Sequence, residues 1–519
     1  MKMDDELAEA KEAFALCAEA EADNREAALD DLRFARLGEQ WPDDIRKRRA
    51  REMRPCLTIN RLPSFIRQVV NDARRNKPQI KVKPVDSASD PATAEILNGL
   101  IRNIEYTSNA DIAYDTAAEF AVTMGVGYLR IGIEYACDDN FDKDLRIERV
   151  ANPFSIYGDP HSTSADSSDW NMAFVVDRLS KETFRQRYKD AAEVDWDALG
   201  YGKLEAPWLE DDEILVAERW LREEVPSTLL LLSNGLALRE EQYLAQKDIF
   251  DASLVQVVGE RPTRRYRIRQ TLMTGAEILE TNEWAGRYIP IIPVYGEEVN
   301  VEGKRHFRSL IRDAKDAQQM HNYWRTCATE LVALAPKAPF IGAKGSFDSD
   351  IARWETANTE SHPFLEYDPV PGQMPPQRQP FAGPPAGALN EALLASDDMK
   401  AIMGLYDASL GARSNETSGV AIRTRQRQGD IATFHFIDNL QRGIRHAGRV
   451  LIDLIPAVYN TARIVRVLGQ EGEAKVVAIA PAGAASANAG PPQGFDRVYD
   501  VTLGKYDVAV ESGPAFSTQ

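Results

Sequence analysis

Cysteine is scarce: Cys17, Cys56, Cys137 and Cys327 are the only four in 519 residues, and they lie far apart with no CxxC pair. That excludes a disulfide framework and a thiolate zinc site, and the four read as reduced packing residues. Long apolar runs are missing too. No window approaches the roughly 18 apolar residues that a bilayer span needs. The opening MKMDDELAEAKEAFALCAEAEADNREAALDDL is acidic and helix-like, unlike a basic-then-apolar signal peptide. The expectation is a chain kept in the cytoplasm, with no membrane partner.

Signatures of catalysis are equally absent. A P-loop needs a Gly-rich turn ending in Gly-Lys-Ser/Thr to cradle phosphates, and neither Gly303-Lys304-Arg305 nor the run from Gly342 to Ser346 matches it. Gly125-Val126-Gly127 lacks a third glycine at the offset of a dinucleotide fingerprint and precedes a strand pattern rather than a helix. The histidines His161, His306, His321, His362, His435 and His446 show no HExxH or paired-ligand spacing. There is no Gly-x-Ser-x-Gly elbow. No cofactor, no metal and no enzymatic activity are expected. The acidic loop from Asp159 to Asp169 has two readings, a hard-cation site or a set of Asx turns, though it lacks EF-hand spacing.

Positive charge is also in deficit, 62 Lys and Arg against 80 Asp and Glu, for a net charge of −18. Broad duplex binding rests on Lys and Arg neutralising phosphates, so a gripping surface is disfavoured. An acidic wall would repel a duplex and keep it from sticking, which suits a conduit better than a clamp.

What is present is a folded composition, 44% apolar and 27% charged, long enough for about two to four lobes. A helix is predicted from Asp4 to about Arg36, its stripe of Leu7, Phe14, Leu29, Leu32 and Leu37 reading as a solvated amphipathic arm. The basic run IRKRRAREMR follows, either a solvated or neighbour-binding face or a nucleic-acid contact. Helices are predicted at Leu62–Arg75 and, as a pair, between Thr93 and Met124. Alternation of Leu129, Ile131, Ile133 and Tyr135 with polar residues predicts a strand, with Leu145 to Val150 as its hairpin partner. Further strands are predicted at Ile214 to Leu221, Leu229 to Ser233, Arg265 to Leu272 and Ala276 to Glu280, giving one mixed α+β body over the first 300 residues.

The character changes at Arg308, where apolar spacing predicts a seven-turn helix up to Pro336. Residues 336–385 hold ten of the 28 prolines, which predicts a separate lobe of loops and short strands. Helix is predicted again from Ala388 to Leu405 through Leu389, Leu393, Leu394, Met399, Ile402 and Met403. After the polar loop YDASLGARSNETSG, the longest helix is predicted to Pro456, with Gly429, Gly443 and Gly448 marking kinks or close crossings. Its Arg423, Arg425, Arg427, Arg442, Arg445 and Arg449 form a local basic stripe, a candidate DNA or subunit contact.

Several of these stretches, RPCLTINRLPSFIRQVVNDARRNKPQIKV, GVGYLRIGIEY, ANPFSIYGDPHSTSADSSDW and GARSNETSGVAIRTRQRQGDIATFHFIDNLQRGIRHAGRVLIDLIPAVYN, resemble the P22-like portal proteins of short-tailed bacteriophages in order and spacing. The resemblance implies a portal fold: an arm at 1–53, a mixed α+β wing at 54–307, stem helices at 308–335 and 386–405, and a clip at 336–385. A channel loop at 406–418, a long kinked wing helix at 419–460 and C-terminal wing strands at 461–519 complete it. Family members carry on into a crown and sometimes a helical barrel, which this chain is expected to lack.

By the same resemblance the chain is a non-enzymatic subunit of a homo-dodecameric ring at one capsid vertex, assembled in host cytoplasm and resident in the virion. The ring conducts double-stranded DNA during packaging and ejection. Implied partners are terminase, the major capsid and scaffolding proteins, and tail adaptor proteins, with the clip as the dock for terminase and tail. Tyr406, Asp407, Arg413 and Asn415 are the expected channel-loop residues, Arg413 first among them for phosphate. Alternatives are another head-to-tail adaptor ring, or a metal-dependent DNA-processing enzyme using Asp138, Asp139 or Glu148.

Overall fold

The computed structural model describes residues 2–75, 78–85, 90–189, 191, 213–233, 235, 237–245, 255–334, 339–379, 386–405, 433–469, 472–480, 497–501 and 505–512. The fold is α+β, and the chain divides into two compact units. One comprises Met1–Ala28, Val70–Ser309 and His435–Gln519, the other Leu29–Val69 and Leu310–Phe434.

In the first unit the main core forms where three helices meet small sheets. Helix Pro91–Thr107 opens on Asp90, whose carboxylate accepts the Ala92 N–H, with Pro91 in the first turn where no donor is missed. Helix Ala110–Met124 stops at Gly125, which takes φ of 95°. Strand Val126–Tyr135 then starts at once and pairs with both Ile291–Tyr295 and Lys143–Arg149. Leu97, Ile101, Ala117, Leu129, Ile147 and Ile292 pack with Ile444, Leu451 and Ile455 of the long helix Phe434–Val458. Of the glycines expected to mark kinks or close helix crossings, Gly443 and Gly448 are crossed closely by strands instead, and Gly429 lies outside the described residues. A Cβ on Gly443 would stand 2.9 Å from Val294, and one on Gly448 2.8 Å from Val508 of the strand pair Pro78–Pro84 and Tyr506–Ser512.

A larger sheet runs Ile156–Tyr157, Met172–Ser180, Glu213–Leu232, Val257–Met273, Ile278–Trp284. The two strands expected at Ile214 to Leu221 and Leu229 to Ser233 are one strand of 20 residues. Pro226 stands opposite Arg264 of the 17-residue partner Val257–Met273, and pairing continues on both sides of it. The helix Lys2–Leu32 is not a solvated arm: Leu7, Phe14 and Cys17 are buried against Tyr157, Phe174, Leu215 and Met273 of this sheet. Phe14 meets Tyr157 and Phe174 edge-on at 4.8 and 5.3 Å. Leu37, expected in the same stripe, is 70% exposed. The stripe stays in phase because Ala10 and Cys17, not Leu37, complete it.

In the second unit helix Lys315–Leu334 begins seven residues later than expected. Arg308 closes the strand Lys304–Arg308, and Ile311 and Ala314 are buried in a short turn before the helix. Helix Ala386–Met403 packs against Lys315–Leu334 and buries Ala392, Ala395, Ser396, Met399 and Met403. Residues 339–379 contain one two-residue strand pair, Phe340–Ile341 with Gln377–Arg378, and the helix Ile351–Thr356. Trp354 centres this part, edge-on to Phe340 and Phe347 at 5.0 Å each.

Residues 29–69, expected to divide between arm and wing, fold with residues 310–434. Asp31, fully buried, takes Arg312 at 2.8 Å and Lys315 at 2.6 Å.

Candidate functional site

Polar side chains at every fourth position of helix Lys315–Leu334 form a ladder. Gln318 Oε1 accepts the Arg61 N–H at 3.2 Å, Asn322 Oδ1 the Ile59 N–H at 2.9 Å, and Thr326 Oγ1 the Leu57 N–H at 3.2 Å. Gln318 also donates to the Ile59 carbonyl at 2.9 Å, and Asn322 to Gln40 Oε1 at 2.6 Å. One turn further, Glu330 receives Arg49 at 2.6 Å and Arg54 at 3.1 Å. Hydrogen bonds from Arg54 hold the Glu330 carboxyl below its usual range. Of the basic run IRKRRAREMR, Arg49 and Arg54 thus serve this internal clamp.

Spacing four residues apart was visible in the sequence as Gln318, Asn322, Thr326 and Glu330, but nothing in it marks the irregular segment 54–61 as the partner. The apolar faces of the same helices point outward. Met320, Tyr323, Leu331 and Val332 are 43 to 58% exposed, and Leu389, Leu393, Leu394 and Ile402 are 40 to 62% exposed. Of the six apolar residues that traced the second of these helices in the sequence, Met399 and Met403 are buried, together with Ala392, Ala395 and Ser396.

Tyr406, Asp407, Arg413, Asn415, Arg423, Arg425 and Arg427 lie outside the described residues. The other three stripe arginines sit in the first unit. Arg442 pairs with Asp438 at 2.5 Å and donates to Asn439 Oδ1 at 3.0 Å. It borders a cleft with Tyr295, Glu297, Glu298, Asn300 and His435. Arg449 pairs with Asp166 at 3.0 Å. The buried Nε of Arg445 has no hydrogen-bond partner among the described residues. Between them His446 is buried, edge-on to Tyr288 at 5.4 Å, and burial lowers its pKa to about 4.

The loop from Asp159 to Asp169 spends its carboxylates on its own backbone. Asp159 accepts the N–H groups of His161 and Asn171, Asp166 that of Ser168, and Asp169 those of Thr163 and Ser164 together with the Ser162 hydroxyl. The bonds at Asp159–His161 and Asp166–Ser168 are Asx turns, and those of Asp169 and Asn171 close the loop on itself. Among the described residues no three His, Cys, Asp or Glu side chains cluster as a metal would require, and no helix is long and apolar enough to cross a membrane. Asp138 and Asp139 sit at an exposed hairpin tip, whereas Glu148 faces Arg130 at 3.5 Å within the sheet.

Two features of the first helix escaped the sequence reading. Arg25 of the first helix donates to the carbonyls of Phe154 and Ile156 and lies 3.9 Å over the Tyr157 ring. Asn24 pairs with the strand Lys304–Arg308 as another strand would, donating to the Arg305 carbonyl at 2.8 Å and accepting the Phe307 N–H at 3.1 Å.

Among the described residues no reacting constellation emerges. The model of the phage P22-like portal protein family matches residues 11–519. The chain belongs to that family. A portal protein of Acyrthosiphon pisum secondary endosymbiont phage 1 is similar at 24% identity over 530 residues, covering 95% of this chain and 71% of that protein. Portal proteins of this family are structural components of the phage particle. The outward apolar helix faces and the ladder therefore belong to a portal subunit.

Proposed function

We propose that this portal protein forms a closed homo-dodecameric ring at one capsid vertex, through which DNA is packaged and ejected. In this reading helices Lys315–Leu334 and Ala386–Met403 are the stem, residues 336–385 the clip that docks terminase and later tail adaptor proteins, and residues 406–418 the channel loop. Helix Phe434–Val458 falls in the segment 419–460 assigned to the wing, and capsid and scaffolding proteins meet the ring from outside.

The observation that carries the proposal is the pair of apolar faces on the two stem helices. Eight large apolar side chains there are at least 40% exposed in the single chain. Soluble monomers rarely leave such faces open, and a cyclic assembly covers two different flanks of every subunit at once. The net charge of −18 supports a conduit that does not hold its duplex. Negative-stain images and native mass of the concentrated, folded chain are expected to give closed rings. A strictly monomeric species under those conditions would overturn the reading. Within the ring, Arg413→Ala is expected to lower packaging and infectivity if Arg413 meets phosphate; unchanged values would remove that role.

A further inference from the structure

The hairpin of Val126–Tyr135 and Lys143–Arg149 ends in a seven-residue tip, 136–142, that the portal reading does not use. Its base is locked in the core through Leu129, Ile131, Leu145 and Ile147. Its tip is nevertheless aromatic and bare. Phe141 is 94% exposed and Tyr135 60% exposed.

The tip is also held in shape. Ala136 N–H donates to the Asp142 carbonyl at 2.8 Å, Asp142 N–H to Asn140 Oδ1 at 3.0 Å, and Thr461 Oγ1 to Asp142 Oδ1 at 3.0 Å. Arg463 ties the next turn of the hairpin, donating to the Lys143 carbonyl at 2.9 Å and meeting Asp144 at 3.4 Å. A ring presented on so fixed a loop loses little freedom on binding, which is the condition for an aromatic anchor.

The exposed surface continues past the tip. Arg463 and Thr461 lead into the strand Arg463–Leu468, paired with Ala474–Ile479. In that register Ile464, Arg466 and Val476 share one face, and Ile464 and Val476 are each more than half exposed. Arg466 lies 5.7 Å over the ring of Tyr106, itself 64% exposed. Five large apolar side chains, on elements tied directly together, thus stand open to solvent.

We propose that this surface docks a second protein by inserting Phe141 into an apolar pocket rimmed with Lys or Arg. The charge of the tip selects that partner class. Asp138 and Asp139 lie three and two residues before the anchor, both exposed and without an ion-pair partner among the described residues. Anionic lipid and nucleic acid would meet these carboxylates with like charge. A basic rim on a different protein answers both the ring and the carboxylates.

The test places p-benzoylphenylalanine at Phe141 and irradiates cells in which the phage is being made, alongside the purified chain. One major adduct to a different protein is expected, mapping to an apolar segment bordered by Lys or Arg. Asp138→Lys with Asp139→Lys should lower its yield about tenfold, while the thermal midpoint of the chain stays unchanged. The purified chain should give no adduct to itself. An adduct to a second copy, to lipid or to DNA overturns the proposal, as does a folded chain giving none or a yield indifferent to charge reversal. Should the substituted chain fail to fold, Tyr135→p-benzoylphenylalanine carries the same test. Ring formation is read separately, so its failure and the failure of the docking surface remain distinct.

Discussion

Asn322 uses both ends of its amide, taking the Ile59 N–H and donating to Gln40. Asn322→Leu would leave one buried donor and one buried acceptor unpaired, an expected loss on the order of 3 kcal/mol in urea unfolding. A loss under about 0.5 kcal/mol would mean that water replaces the amide. His446 supplies a pH dependence of known sign. Burial depresses its pKa from 6.5 to about 4, against the pull of Asp166 and with Arg449 and Arg222 adding like charge. The unfolded chain therefore binds the proton first, and the stability is present above pH 6.5 and lost as pH falls toward 4. Between pH 7.5 and 5 this histidine should account for about 2 kcal/mol of lost stability, and His446→Leu should flatten the unfolding midpoint over that range. Neither residue announced itself in the sequence. A histidine on an apolar helix face carries no mark of what surrounds it, whereas the Asx turns of the Asp159 loop follow from local chemistry and were open to reading.

Among the elements, those whose partners are near in sequence were the most legible. Leu62–Arg75 has the bounds its apolar spacing gave, and the hairpin formed on strand Val126–Tyr135 has the partner its alternation gave. Helix Ala386–Met403 shows where periodicity fails. Its large apolar residues and its alanines both repeat at helical spacing, and close packing against a second helix selects the small ones. Leu393→Glu should therefore leave the chain folded by circular dichroism while reducing ring formation in size-exclusion chromatography.

Two glycines allow a graded comparison. A Cβ on Gly127 would lie 2.1 Å from the Ala117 carbonyl oxygen, while one on Gly448 meets only the methyl groups of Val508 and Ile80. Helix backbone cannot give way and side chains can, so Gly127→Ala should cost well over the roughly 1–3 kcal/mol expected for Gly448→Ala, with thermal unfolding as the measure.

Over the whole molecule, the grouping of distant segments was the least legible feature. That residues 29–69 fold with 310–434 depends on pairs such as Asp31 with Arg312 and Arg49 with Glu330, each 281 residues apart. Charge pairs at that separation leave no period to read. Net charge, in contrast, is read directly, and it yields a prediction at this scale. The assembled protein at −18 per chain should fail to retain linear duplex on a filter near physiological salt, and strong retention would count against a non-gripping conduit.

The ladder on helix Lys315–Leu334 works as a vernier. Four helical residues advance about 6.0 Å and two extended residues about 6.6 Å, so facing rungs drift by roughly 0.6 Å at every step. Three rungs, at Gln318, Asn322 and Thr326, stay within reach of the backbone. By the fourth the accumulated offset approaches 2 Å, beyond what a hydrogen bond tolerates. There the chain changes instrument, and Glu330 reaches instead for the long guanidinium arms of Arg49 and Arg54. The mismatch between two natural rulers thus fixes how much of residues 54–61 one helix can hold, and a single residue inserted among them would put the rungs on one side of it out of step with those on the other.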